Sequence, residues 1–164
     1  MQTVTFEPSA EDLLAANRLV FKIVLKTKRT QYSILKGGLI AGALCALASW
    51  IWSFDTPLRF AAIGVIYWIL FITVVFGAVY LRLPRQSRTV YVQQKSLHGP
   101  STVEWNDIGI TFKSERGQSS FAWDDFTRIE VGDSVIVLRQ SDALSNFIPR
   151  RALSAEQVKD IARR

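Results

Sequence analysis

The side chains that could carry acid–base, nucleophilic or metal chemistry are few and scattered. The chain has one cysteine, Cys45, and one histidine, His98. Cys45 sits in a run without charge, and His98 opens the polar turn His98-Gly99-Pro100. A thiol–imidazole pair would have to join an apolar segment to a polar one, no disulfide can close within one chain, and no zinc site can be assembled from several Cys and His. Cys45 is therefore expected to pack as a small apolar residue and His98 to serve as a surface turn residue. Asp124 and Asp125 form an adjacent carboxylate pair of the kind that binds cations or moves protons, but no His or third acid lies at a supporting spacing. A phosphate loop, a nucleophile elbow and a metal motif are all missing from the sequence. No catalytic, cofactor or metal residue is assigned, and a non-enzymatic role is expected.

Arg150 and Arg151 are the more informative pair. They follow Pro149, which stiffens the approach, and precede a helix start at Ser154 that could help hold an anion. One reading is contact with a phosphate-bearing headgroup or an acidic partner. The other is a solvated end that neutralises Asp142 or Glu156.

The elements that must position these residues divide sharply by composition. Mean hydropathy is +0.16, high for a soluble domain of ordinary charge, and 20 Lys plus Arg against 14 Asp plus Glu give a pI of about 9.8. Gly37 to Phe54 and Phe60 to Leu81 carry no charge at all. Each run approaches the ~20 residues that a helix needs to cross the hydrocarbon. Spans at about 34–54 and 60–81 are expected, within a hairpin over 32–83, because Asp55-Thr56-Pro57-Leu58-Arg59 allows only a tight reversal. The opening MQTVTFEPSAEDLL does not resemble a secretory signal.

Charge sets the expected orientation. Arg18, Lys22, Lys26, Lys28, Arg29 and Lys36 precede the first span, and Arg82, Arg85, Arg88 and Lys95 follow the second. The positive-inside rule places both termini in the cytoplasm and the connecting loop outside. Such flanks attract anionic headgroups, so the basic pI does not call for nucleic acid. Gly38, Gly42 and Ala46 make a smooth stripe on the first span, which would pack the hairpin on itself, a homodimer, or another protein's helix. Thr73 and Gly77 offer a weaker version on the second. Trp50, Trp52 and Phe54 suggest an outer aromatic anchor, with Tyr80 at the inner end.

Residues 1–31 read as a short strand, Thr3–Glu7, ended by Pro8 and followed by an amphipathic helix started by Ser9 and Asp12. Leu13, Ala16, Val20, Ile23, Val24 and Thr27 share one face and Arg18, Lys22, Lys26 and Arg29 the other. That helix could lie at the membrane interface or pack on the cytoplasmic domain; periodicity does not separate the two.

Residues 84–164 read as a small β-rich domain. Strands are expected near Thr89–Gln93, Thr102–Trp105, Gly109–Lys113, Ser119–Trp123, Thr127–Val131, Ser134–Arg139 and Leu144–Ile148. Asn106-Asp107 supply turn residues, and Asp107 ahead of Gly109 suits a turn with positive φ. Ser154 and Gln157 form a capping box for a last helix, with Val158 and Ile161 inward. Seven antiparallel strands and one terminal helix is a pleckstrin-homology-like order, so the fold class is membrane α+β: a two-helix hairpin with a PH-like domain closed by a helix.

Three stretches then carry a resemblance. They are Val4-Thr5-Phe6-Glu7 with Glu11-Asp12-Leu13, Asp107-Ile108-Gly109-Ile110 leading to Trp123-Asp124-Asp125-Phe126, and Phe147-Ile148-Pro149-Arg150-Arg151-Ala152-Leu153. In this order around a two-span hairpin, the chain resembles the YcxB-like family of bacterial membrane proteins. The resemblance implies a membrane location and a small cytoplasmic β-rich module, and no biochemical activity or catalytic residue. The expected partners are the bilayer with its anionic headgroups and a membrane or cytoplasmic protein. An accessory subunit docking through the hairpin is the alternative.

Overall fold

The structure is a computed structural model that describes residues 1–51, 56–141 and 144–164. Trp52, Phe54 and Asp142 lie outside them, so of the expected aromatic anchor only Trp50, which is exposed, is described, and the Asp142 pairing lies outside. The elements run β1 (Gln2–Phe6), α1 (Ala10–Lys26), α2 (Lys28–Ile51), α3 (Pro57–Gln93), β2 (Ser101–Trp105), β3 (Gly109–Ser114), β4 (Gly117–Ala122), β5 (Arg128–Val131), β6 (Val135–Arg139), β7 (Ser145–Pro149) and α4 (Ala155–Ala162). They form two compact units, one of residues 1–20 with 83–164 and one of residues 21–82.

The first unit is built from both ends of the chain. Sheet order is β1-β2-β3-β4 in one antiparallel sheet and β5-β6-β7 in another. β1 pairs with β2 in the register Val4 to Val103 and Thr5 to Thr102. The seven strands expected within 84–164 are therefore six, and the seventh comes from the N-terminus. The strand expected at Thr89–Gln93 is instead the last stretch of α3, which runs through Pro84. Proline costs a helix one hydrogen bond and crowds the preceding turn, but tertiary bonds hold this stretch helical. Leu83 and Ser87 are buried, Asn17 Nδ2 donates to Ser87 Oγ at 2.9 Å, and the Tyr91 hydroxyl donates to the Pro8 carbonyl at 3.1 Å. Packing overrides the β-branched bias of Thr89, Val90 and Val92.

The core of this unit lies between the sheets. Phe6, Val103, Trp105, Ile110, Ile136, Leu138, Ile148 and Ile161 form one buried cluster. Strand β6 is buried along its whole length. Ile136 and Leu138 face that cluster, while Val135 and Val137 meet Ala16, Leu19 and Val20 of α1. The helix that periodicity left between membrane and domain thus packs, as far as Val20, on the outside of the second sheet. A Cβ on Gly132 would lie 2.8 Å from Leu19 Cδ2, so glycine lets α1 approach.

The second unit is a helical pair. Trp68 of α3 lies over Gly37 and Gly38 of α2, and its indole N–H donates to the Ile34 carbonyl at 2.9 Å. An indole N–H in an apolar setting needs such an acceptor. At Gly64, a Cβ would lie 2.7 Å from the Ala41 carbonyl oxygen and 2.8 Å from Cys45 Sγ. The outward faces are apolar, including Leu35, Leu39, Leu44, Ile66, Phe71 and Val74. Both helices are long and apolar enough to span a membrane.

Candidate functional site

Arg150 is partly buried and Arg151 exposed, and both guanidiniums bond to groups of the fold. Both belong to a 3-10 turn, Arg150–Ala152, that links β7 to α4. The Arg150 guanidinium donates to the carbonyls of Gly132 at 3.1 Å and Asp133 at 3.4 Å, closing the β5–β6 turn. Arg151 pairs with Asp12 and donates to the Glu7 carbonyl at 2.8 Å. Asp12 is 7% exposed. Its other oxygen accepts from the Ser9 amide at 2.9 Å and hydroxyl at 2.7 Å, while Ser9 Oγ accepts from the Asp12 amide at 3.2 Å. Both guanidiniums bond to groups of the fold, and the Arg151 side chain is also 53% exposed. Pairing with Glu156 does not occur. Asp12, whose capping role was legible, is also the counter-ion of a residue far away in sequence, for which no local signal exists.

A second polar junction ties α4 to the first sheet. Trp105 Nε1 donates to Asp160 Oδ2 at 2.9 Å. Arg164 reaches Asp107 at 2.8 Å and Asp160 at 3.2 Å and lies 5.6 Å from the Trp123 ring centre. The bond to Asp107 raises the Arg164 pKa, against a smaller opposing desolvation. The turn before β3 works differently from the expectation. Asn106 Oδ1, not Asp107, accepts from the amides of Ile108 at 2.8 Å and Gly109 at 3.0 Å. Gly109 is not among the positive-φ glycines, which are Gly99 and Gly117. Its role is space, since a Cβ there would run into the Phe121 carbonyl oxygen.

Of the other chemistry-bearing residues, Asp125 and His98 have structural partners, while the Asp124 side chain makes no hydrogen bond or ion pair among the described residues. Asp125 Oδ2 accepts from the Ala122 amide at 2.8 Å, in a 3-10 turn led by Trp123. His98 Nε2 contacts the Tyr91 carbonyl at 2.8 Å and its ring lies 4.9 Å from that of Tyr91. Among the described residues, no group of three or more His, Cys, Asp and Glu side chains is arranged to hold a metal ion. In the helical pair Gly38 and Gly42 are buried against Trp68, Val65 and Ala61, and Ala46 is half-buried. Gly77 meets nothing within 4 Å, so the tight glycine of α3 is Gly64 rather than Gly77.

A cleft opens in the first unit. It has a volume of about 470 Å³ and is lined by β4 near Gln118, β7 near Asn146, Leu13 and Asn17 of α1, and Gln94 and Leu97. Phe6, Phe112 and Phe147 line it, together with Lys113 and Arg116. Lys113 is paired with Glu104 at 2.7 Å.

The geometry defines an α+β protein with two candidate membrane helices, in which a seven-stranded module with a terminal helix is completed by the N-terminal strand. Residues 105–162 match the family model described as YcxB-like protein, and the chain carries a YcxB-like domain there. The match contains Asp107–Ile110, Trp123–Phe126 and Phe147–Leu153, while Val4–Leu13 falls before it. No curated protein and no solved structure matches the chain.

Proposed function

We propose that this is a non-enzymatic inner-membrane protein that crosses the bilayer twice and holds its β-rich module at the cytoplasmic surface, where it meets anionic headgroups or protein partners. The observation that carries the reading is the pairing of two charge-free apolar runs with basic flanks. Lys22, Lys26, Lys28, Arg29 and Lys36 precede them, and Arg82, Arg85, Arg88 and Lys95 follow. Such charges favour the cytoplasmic side and contribute about 1 kcal/mol each near an anionic surface. Arg151, half-exposed beside Asp12, adds a cation to those of the flanks. Tethering keeps the module at high effective concentration toward membrane-bound partners.

A binding role is supported by how the reactive side chains are engaged: His98 with Tyr91, Asp125 with the Ala122 amide, and Cys45 beside Gly64. Docking as an accessory subunit through Gly38 and Gly42 has less support, because Trp68, Val65 and Ala61 already occupy that face.

Protease treatment of an epitope placed after Arg164 tests the reading. The tag should be resistant in intact spheroplasts, digested in inverted vesicles, and retained in the membrane after alkaline extraction. Digestion in spheroplasts, or release by alkali, contradicts it.

A further inference from the structure

Sheet edges are where a module of this kind keeps unused bonding capacity, because an edge strand carries backbone groups without a ladder partner. The two sheets have four edge strands, β1, β4, β5 and β7. β1 packs against the 3-10 turn Arg150–Ala152 and β5 against α4. The remaining two, β4 and β7, line the same cleft. Counting from the Ser114–Gly117 pair that closes the β3–β4 turn, antiparallel alternation directs the Gln118 N–H and C=O away from β3.

The lining matches that backbone geometry. The side-chain amides of Gln94, Gln118 and Asn146 border the cleft and make no hydrogen bond among the described residues. Three phenylalanines are among its lining residues, and a volume of about 470 Å³ falls within the ordinary range of ligand sites. Among the described residues, no Asp or Glu lines it and Arg116 makes no ion pair.

We propose that this cleft receives an extended segment of a partner polypeptide that adds to the β4 edge and places an acidic side chain at Arg116. Main-chain pairing supplies affinity in this mode and alternate side chains supply selectivity. Free strand edges and primary amides suit a peptide backbone, whereas a phosphate headgroup calls for a cluster of cations. The inference rests on the reading of this module as an interaction domain, but its test is independent of membrane topology.

The test uses the full chain in phosphatidylcholine nanodiscs, probed with a positional-scanning library of acetylated hexapeptides. Selection of Asp or Glu at one position, apolar β-formers at alternating positions and exclusion of proline is expected, with slowed amide exchange at Gln118. Arg116→Glu should weaken the selected peptide about tenfold, the loss of one charge-assisted bond, and Gln118→Pro should abolish binding. Unchanged exchange at Ile136–Leu138 shows that each variant is folded. The proposal is overturned if no peptide is selected, if Arg116→Glu binds equally well, or if protection falls outside β4 and β7. Protection of the same amides by dihexanoylphosphatidylglycerol, without peptide selection, gives the cleft to lipid and also overturns it.

Discussion

Arg151 pairs with Asp12 across 139 positions of sequence and so ties the start of α1 to the turn before α4. The bond crosses from one side of the helical insertion to the other. Together with β1, it makes residues 1–20 part of the same folded unit as residues 83–164.

Removing either partner should loosen that unit unequally. The Arg151 side chain is 53% exposed, so Arg151→Ala is expected to cost about 1 kcal/mol. Asp12→Ala also removes the reciprocal bonds with Ser9 and should cost about 2 kcal/mol. Chemical denaturation in detergent, followed by tryptophan fluorescence, measures both. Equal and negligible losses would show that the pair contributes nothing.

A fragment beginning at Leu83 should not reach the native state. It lacks β1, which exposes the β2 edge, and it lacks Ala16, Leu19 and Val20, which cover Val135 and Val137. Its far-UV spectrum and amide exchange should report a loose, aggregation-prone chain, and residues 1–20 added as a separate peptide should restore protection at Val137. A fragment protected without the peptide would refute the shared unit.

The helical pair gives a contrast between two glycines. Gly64→Ala places a methyl against the Ala41 carbonyl and should destabilise by about 1–3 kcal/mol. Gly77→Ala enters open space and should be neutral, or stabilising by up to about 1 kcal/mol. Unfolding midpoints in mixed micelles distinguish them, and equal effects would contradict the packing at Gly64.

Much of this architecture is legible in the sequence where the signal is local. Charge-free runs mark α2 and α3, and the Ser154–Gln157 box marks α4, where Gln157 N donates to Ser154 Oγ at 3.2 Å. Turn residues bracket β2 to β7 to within a residue or two. What escapes is what depends on distant partners. Thr89 to Gln93 alternates like a strand, yet it is helical because Ser87 and Tyr91 bond to Asn17 and Pro8. Arg150 and Arg151 look solvent-directed, since nothing nearby in sequence announces the Gly132 carbonyl or Asp12. The continuous apolar run Val135–Leu138 does carry a readable signal, because a strand buried on both faces needs a cover on each; α1 is the second cover. The cleft is illegible in sequence because β4 and β7 meet there only after both sheets have formed.

The most direct measurement is a crosslink between the two ends of the β1–β2 pair. Thr5 and Thr102 are register partners with their hydroxyl oxygens 2.9 Å apart, a separation suited to a disulfide after substitution. In a Cys45→Ala background, Thr5→Cys with Thr102→Cys should oxidise in isolated membranes, and mass spectrometry should recover the linked peptides. Thr3→Cys with Thr102→Cys, two residues out of register, should not link. Absence of the 5–102 link under conditions where both thiols react with maleimide would mean that β1 does not complete the sheet and that the hairpin is not an insertion within one folded module.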